Sequence, residues 1–100
     1  MEYTMAEKSP PQGAQAALRA LRLLKLFTPE RPELKLAEVS AMTGLNKTTT
    51  HRLLQALHSE SMLDRNPNGG AYRLGPALLA LGVLALSSND LRLRARPLLK

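Results

Sequence analysis

The spacing of apolar residues predicts four helices and one β-hairpin. Apolar positions recur with the period of a helix at residues 14–28, 35–43 and 47–60, and a fourth helix is expected at residues 76–87, which are apolar nearly all round. Residues 62–65 and 71–74 are short and alternate in polarity on either side of Asn-Pro-Asn-Gly-Gly. Such alternation around a glycine-rich turn is typical of a hairpin. In the chain order helix, two helices, hairpin and helix, the pattern predicts a mostly α winged helix-turn-helix with a small β-hairpin.

The first helix carries more apolar surface than one face needs. Five positions share the stripe that we expect to face the core: Ala17, Ala20, Leu21, Leu24 and Phe27. Leu23 and Leu26 fall off this stripe, so we predict that they lie on an outer side of the helix. Surplus apolar surface of this kind often marks a contact with a partner.

The middle pair of helices predicts the helix-turn-helix itself. Gly44 should end one helix, since glycine tolerates a positive φ, and Asn46 is suited to cap the start of the next. The helical period turns four residues of that next helix inward: Thr50, Leu53, Leu54 and Leu57. It turns four others outward: Thr48, Arg52, Gln55 and Ser59. Thr49 and His51 lie on the flanks between the two sides.

The last predicted helix is apolar nearly all round and begins with Pro76, a residue favoured at the first helical position. A helix without a polar face needs burial on more than one side. In so small a protein we expect a second copy of the chain to cover it. The predicted homodimer interface consists of apolar residues from the first and last helices: Leu23, Leu26, Leu78, Leu81 and Leu84.

Composition narrows the class of protein. The chain has 100 residues, of which 44% are hydrophobic and 3% aromatic, which suits one small domain with an aliphatic core. It has no cysteine, which excludes disulfides and thiolate metal sites. Its first residues lack the apolar segment of a secretory signal, and no run is long enough to span a membrane comfortably. These features predict a soluble, cytoplasmic protein without a membrane partner.

The charge balance and the winged helix together favour binding of double-stranded DNA. Fourteen Lys and Arg against eight Asp and Glu give a net charge of +6, which attracts polyanions. A helix fits the major groove and presents its first residues to base edges. The candidate DNA-contacting residues lie in the second helix of the motif and in the wing: Asn46, Lys47, Thr48, Thr49, His51, Arg52, Gln55, Arg65, Asn68 and Arg73. The alternative is a winged helix that binds protein, for which Arg52 would be dispensable.

Other chemistries find little support in the sequence. His51 and His58 are the only histidines and have no obvious third ligand nearby, so no metal site is predicted. No nucleophile is paired with a base, and the glycine-rich stretch lacks the context of a phosphate-binding loop. Tyr72 alternates with Leu74 and is expected in the core. We therefore predict no cofactor and no enzyme activity, although an accessory domain of an enzyme remains an alternative.

Four segments together resemble a known family over residues 14–100. "ALRALRLLKLF", "KLAEVSAMTGLNKTTTHRLLQAL", "SMLDRNPNGGAYRLG" and "PALLALGVLAL" look like the N-terminal half of IclR-type bacterial transcriptional regulators. The resemblance implies a recognition helix at residues 46–57, a wing at 65–73 and a linker helix at 76–87. It also implies dimers, or dimers of dimers, on palindromic operators, with repression or activation controlled by a small-molecule effector.

Composition and the resemblance together divide the chain into four expected parts, and the sequence departs from the family in two respects. We expect a disordered tail at residues 1–13, a DNA-binding domain at 14–75, a linker helix at 76–89 and, at 90–100, the start of a truncated effector-binding domain. Thr50 stands where the family usually has valine or another apolar residue, and a buried hydroxyl there can donate to the carbonyl one turn back. The second departure is length, since the chain stops where the family's effector domain begins.

Overall fold

Four helices and a three-stranded sheet make up the protein in a computed structural model, which describes residues 11–87. In chain order they are α1 (Gln15–Leu24), β1 (Glu33–Leu34), α2 (Leu36–Thr43), α3 (Lys47–Ser59), β2 (Leu63–Arg65), β3 (Tyr72–Leu74) and α4 (Pro76–Leu86). This arrangement confirms the predicted winged helix-turn-helix. Three stretches lie outside the described residues: residues 1–10 of the tail expected at 1–13, residues 88–89 of the linker helix expected at 76–89, and all of the part expected at 90–100.

The sheet is antiparallel and places β3 between β1 and β2. Asp64 and Glu33 both lie opposite Arg73, from the two neighbouring strands. Sequence analysis predicted β2 and β3 but not β1. Glu33 and Leu34 are too few to show an alternating pattern, and the preceding Pro32 indicated only a loop. The pairing of β1 therefore depends on β3 rather than on a local signal.

The core lies where α1, α2, α3 and the sheet meet. Its buried members come from every one of these elements and from the residues around them: Leu23, Phe27, Leu34, Val39, Leu54, Leu57, Leu63 and Tyr72. The expected core position of Tyr72 is thus confirmed, and among residues 11–87 its hydroxyl has no hydrogen-bond partner. Each of these residues removes apolar surface from water, which is the main stabilising contribution in so small a domain.

The face of α1 was predicted wrongly. Leu23 is only 1% exposed and lies in the core, whereas Leu21, expected inside, is 57% exposed. Leu26 is half-buried and packs against the core. The residues of α1 that pack in the core, Ala20, Leu23 and Leu24, still have helical spacing, but the face that they form is shifted from the predicted stripe toward Leu23 and away from Leu21. Both faces are apolar, so the period alone does not choose between them, and Phe27 joins the same core from the segment after α1. Leu23 is therefore not on an outer surface available to a partner.

α2 buries one apolar side chain completely and ends at the glycine that the sequence predicted. Val39 is fully buried, and Gly44 ends the helix with φ of 76°, the left-handed conformation that favours glycine. Met42, near the end of α2, is 43% exposed. Within residues 11–87, no helix is both long enough and apolar enough to cross a membrane.

Candidate nucleic-acid interface

The turn between α2 and α3 is held by side-chain hydrogen bonds. The Ser40 hydroxyl donates to the Leu45 carbonyl at 2.6 Å, and the Thr43 hydroxyl donates to the Val39 carbonyl at 2.8 Å. The Leu45 backbone N–H in turn donates to the Thr43 oxygen at 3.2 Å. These bonds tie the last turn of α2 to the residues that follow it. They also fix the angle at which α3 leaves the turn.

Asn46 caps α3 and accounts for part of the threonine run. Its Oδ1 accepts a hydrogen bond from the Thr49 backbone N–H at 2.8 Å, as expected for an N-cap. Thr50 is fully buried, and its hydroxyl donates to the Asn46 carbonyl at 2.8 Å, which is the bond that the sequence predicted. The oxygen of the Asn46 side chain is thus used within the protein, and the residue positions the start of α3.

The outward side of α3 carries unpaired polar groups. Five of the predicted contact residues are exposed there: Lys47, Thr48, His51, Arg52 and Gln55. Within residues 11–87, none of the five side chains makes a hydrogen bond or an ion pair. Thr49, on the flank, is half-buried. A row of short polar and long cationic side chains with unused donors has the composition that binds phosphates and base edges.

The wing loop between β2 and β3 is shaped by Arg65. Its Nε donates to the Gly70 carbonyl at 3.1 Å, and its guanidinium lies 5.0 Å from the centroid of the Tyr72 ring. Asn66 and Gly70 close the loop through a backbone hydrogen bond of 2.7 Å. Asn68 is exposed at the tip, where its backbone N–H donates to the Asn66 side chain. The predicted wing residues Arg65 and Asn68 therefore belong to one compact loop.

Arg73 is the most extensively paired of the predicted contact residues. Its guanidinium lies 3.1 Å from the Asp64 carboxylate on β2 and 3.7 Å from the Glu33 carboxylate on β1. The side chain thus bridges all three strands on the solvent side of the sheet. This pairing favours a structural role in the wing, and the expected phosphate contact of Arg73 stays a prediction.

Two carboxylates near the motif have lowered pKa values. The backbone N–H of Arg65 holds the pKa of Asp64 below its usual value, and the guanidinium of Arg73 adds to the effect. The backbone N–H of Lys35, followed by Arg31, lowers the pKa of Glu38 at the start of α2. Glu38 accepts from Lys35 at 2.8 Å, as the returning half of a capping box does. Both carboxylates are therefore charged at neutral pH, and each is stabilised by a backbone N–H and a neighbouring guanidinium.

Two hollows lie beside the start of α3, and sequence analysis did not anticipate either. One, of about 410 Å³, is lined by Leu36, Lys47, Thr48, His51 and Arg52. The other, of about 260 Å³, is lined by Arg19 and Arg22 of α1 together with Thr43 and Leu45 of the turn. The sequence signal that could have indicated the second is the pair of cations one turn apart on α1. Cations thus lie on both flanks of the outward side of α3.

The apolar helix α4 is anchored at its start and uncovered along its length. The Gly75 N–H donates to the Met62 carbonyl at 2.8 Å, and the Ala77 N–H donates to the Ser61 carbonyl at 3.0 Å, which join α4 to the wing. Beyond that point no residue of α4 is buried. Its large exposed side chains include two of the three predicted interface leucines and two further residues: Leu79, Leu81, Val83 and Leu84. Leu78 is half-buried.

The geometry agrees with a known domain. Residues 16–67, more than half of the chain, match the model of the IclR helix-turn-helix domain. The chain belongs to the IclR family. In IclR regulators this is the domain that binds DNA, and in the present chain it contains the turn, the cap and the outward side of α3 described above. Among residues 11–87, no three His, Asp or Glu side chains are grouped as metal ligands.

Curated relatives and solved structures agree with this assignment. The HTH-type transcriptional regulator XynR of Escherichia coli K12 is 40% identical over 82 residues, which cover 82% of this chain and 32% of XynR. The DNA-binding transcriptional repressor YiaJ of the same organism is 40% identical over 85 residues, 85% of this chain and 30% of YiaJ. An IclR family transcriptional regulator from Brucella abortus superposes with a TM-score of 0.73 at 34% identity, covering 97% of this chain and 36% of that one.

The family assignment applies only to the part of the relatives that this chain matches. The chain spans about a third of the length of the relatives that it matches. The IclR helix-turn-helix domain lies within that third. These relatives are transcriptional regulators, so an enzymatic role for the domain has no support from them.

Proposed function

We propose that the protein binds a specific operator in double-stranded DNA and thereby regulates transcription. The observation that carries the proposal is the outward side of α3, on which Lys47, Thr48 and Arg52 are exposed without partners among residues 11–87. α3 would enter the major groove, where Arg52 can donate two hydrogen bonds to guanine. The Asn46 cap and the bonded turn support this role, since contact residues act best on a rigid element.

Phosphate contacts would fix the register of α3 in the groove. Lys47 and His51 lie on the flank next to α2, and the wing tip with Asn68 would lie along neighbouring phosphates or the minor groove. Contacts of this type strengthen binding to any sequence and depend strongly on salt. Specificity would therefore come from Thr48, Arg52 and Gln55, and affinity mostly from the cations around them.

A homodimer is the second part of the proposal. Leu79 is 70% exposed and Leu84 is 68% exposed, and α4 has no polar face of its own. A second copy packed along α4 would remove this surface from water and relate two α3 helices by a two-fold axis. Leu78, Leu81 and Leu84 would contribute, together with Leu79 and Val83. Two recognition helices related in this way read an operator that is an inverted repeat.

Effector control would belong to the rest of such a regulator. The family resemblance implies that a small molecule, bound outside the DNA-binding domain, changes operator occupancy. Both repression and activation are open to a domain of this type, and a dimer of dimers would extend the operator to two repeats. The present residues would act as the DNA-reading end, within a bacterial cytoplasm.

Selection from random duplexes tests the operator proposal. The purified chain is incubated with a library of random 30-base-pair duplexes at moderate salt, and bound duplexes are amplified and sequenced over several rounds. The proposal expects an enriched inverted repeat with a guanine in each half-site. Enrichment without any common sequence would contradict specific binding and would favour a winged helix that binds protein.

Sedimentation tests the dimer. Wild-type chain should sediment as a dimer when the selected duplex is present, and Leu81→Glu combined with Leu84→Glu should leave one copy on a half-site. Leu21→Glu is the matched control, because the exposure of Leu21, 57%, lies between those of Leu81 and Leu84, and Leu21 lies on α1. A double variant of α4 that still binds as a dimer would contradict the proposed interface.

A further inference from the structure

The hollow between α2 and α3 combines two kinds of surface. Leu36, the first residue of α2, packs partly against the core and leaves part of its side chain in the hollow. Thr48 of α3 is exposed and also lines the hollow, and its side chain carries one methyl group. The remaining lining residues are Lys47, His51 and Arg52. The hollow is thus apolar at two points and basic around them.

This combination restricts what can occupy the hollow. None of its five lining residues carries a carboxylate, so a polyanion can approach it without repulsion from the lining. Within the major groove of DNA, the 5-methyl group of thymine is the one aliphatic group on a base edge, and apolar side chains are its usual contacts. A thymine methyl therefore matches the apolar points, and the neighbouring phosphates match the basic ones.

We propose that this hollow reads one thymine in each half-site through its 5-methyl group, held between Leu36 and Thr48. The inference rests on the proposed function, since it requires that α3 lies in the major groove. Arg52 lines the same hollow, so the thymine lies at or next to the base pair that Arg52 contacts. Leu36 then acts in specificity as well as in packing, although it belongs to α2 rather than to the recognition helix.

A scan with deoxyuridine tests the proposal directly, because deoxyuridine differs from thymidine only by the missing methyl group. Each thymine of the selected operator is replaced in turn, and affinity is measured by fluorescence anisotropy. One position per half-site should lose about fourfold in affinity, the factor expected for one buried methyl-sized group. The other thymines should change by less than twofold.

Variants of the lining assign the effect to the hollow. Leu36→Ala should reduce the penalty at the sensitive position to less than twofold, and Thr48→Ser, which removes only a methyl from an exposed site, should reduce it as well. Leu21→Ala is the matched control and should keep the full fourfold penalty. Thermal unfolding of each variant shows whether Leu36→Ala destabilises the fold. If it does, Thr48→Ser still tests the proposal.

The outcomes separate this inference from the function on which it rests. If no duplex is preferred over others, the proposed operator binding itself is wrong. If the operator is preferred but no thymine is sensitive to loss of its methyl, the hollow holds sugar or phosphate instead and the inference is wrong. Equal sensitivity at many thymines would also overturn it, because that result would reflect the shape of the duplex.

Discussion

Asp64 and Arg73 lie directly opposite each other on β2 and β3, and the Arg73 guanidinium contacts the Asp64 carboxylate at 3.1 Å. Glu33 approaches the same guanidinium from β1 at 3.7 Å. One cation thus links three strands and is balanced by two acids. The wing is a small sheet with short strands, and cross-strand pairs of this kind contribute to its stability.

The first prediction separates structural cations from DNA-binding ones. Arg73→Ala should lower the free energy of unfolding only slightly, since it removes the cation shared by two half-exposed carboxylates. The salt dependence of DNA binding by the Arg73→Ala variant should equal that of wild type. Lys47→Ala, the matched control, should instead reduce the slope of log K against log salt by about one. A reduced slope for Arg73→Ala would show that Arg73 contacts a phosphate, as the sequence first suggested.

The second prediction concerns stability at acid pH. Hydrogen bonds from Arg65 and Lys35 lower the folded-state pKa values of Asp64 and Glu38, so the folded protein binds fewer protons than the unfolded chain. Their contribution is complete above the ordinary carboxyl pKa of about 4. It is lost as the pH falls through the lowered folded values.

Urea titrations between pH 7 and pH 2 measure this effect. The variant Glu38→Gln with Asp64→Asn should be less stable than wild type near pH 6, and its stability should fall less between pH 5 and pH 2. A pH dependence as steep as that of wild type would contradict the assignment to these two carboxylates.

The third prediction addresses the threonine in the core. Thr50→Val should change the free energy of unfolding by less than about 1 kcal/mol, because the backbone N–H of Thr50 also donates to the Asn46 carbonyl, at 2.9 Å. Valine keeps the branched shape of the buried site. Thr50→Asp should prevent stable folding, since a charge would be buried without a partner. A loss of more than 2 kcal/mol for Thr50→Val in urea unfolding would show that the hydroxyl stabilises α3 more than this account allows.

The fourth prediction compares two glycines. A Cβ on Gly75 would clash with the Ser61 carbonyl oxygen and approach the Leu63 carbonyl carbon to 2.9 Å, so Gly75→Ala should destabilise the junction of wing and α4 by about 2–3 kcal/mol. A Cβ on Gly82 would meet nothing within 4 Å, so Gly82→Ala should stabilise α4 by about 0.5–1 kcal/mol. Thermal unfolding measures both, and equal effects of the same sign would contradict this difference.

The recognition half of the fold could be predicted from sequence because its signals are local. Gly44 permits the turn, Asn46 accepts a hydrogen bond from the free N–H of Thr49 in the first turn of α3, and the helical period from Thr50 to Leu57 separates the inward from the outward side. Each signal involves residues within one or two turns of each other. The same holds for the wing tip, where glycine and asparagine favour a tight turn.

The remaining features depend on contacts distant in sequence. β1 exists because Leu34 pairs with Tyr72, and the inward face of α1 is decided by packing against the core, since its apolar period fits more than one face. The sequence pattern can predict that a cationic side chain is exposed, but it does not show whether that side chain is already paired with a carboxylate. Arg52 and Arg73 look alike in the sequence, yet only Arg73 lies between two carboxylates.

The most direct test of the central claim is the specificity of α3. Fluorescence anisotropy measures the affinity of the chain for its selected operator and for a scrambled duplex of the same composition, at several salt concentrations. Wild type should prefer the operator by tenfold or more. Arg52→Ala should remove most of this preference, on the order of 1–3 kcal/mol per lost base contact. Lys25→Ala, which removes the same charge from an exposed site after α1, should keep it. An equal affinity of wild type for both duplexes, or an unchanged preference in Arg52→Ala, would contradict base recognition by α3.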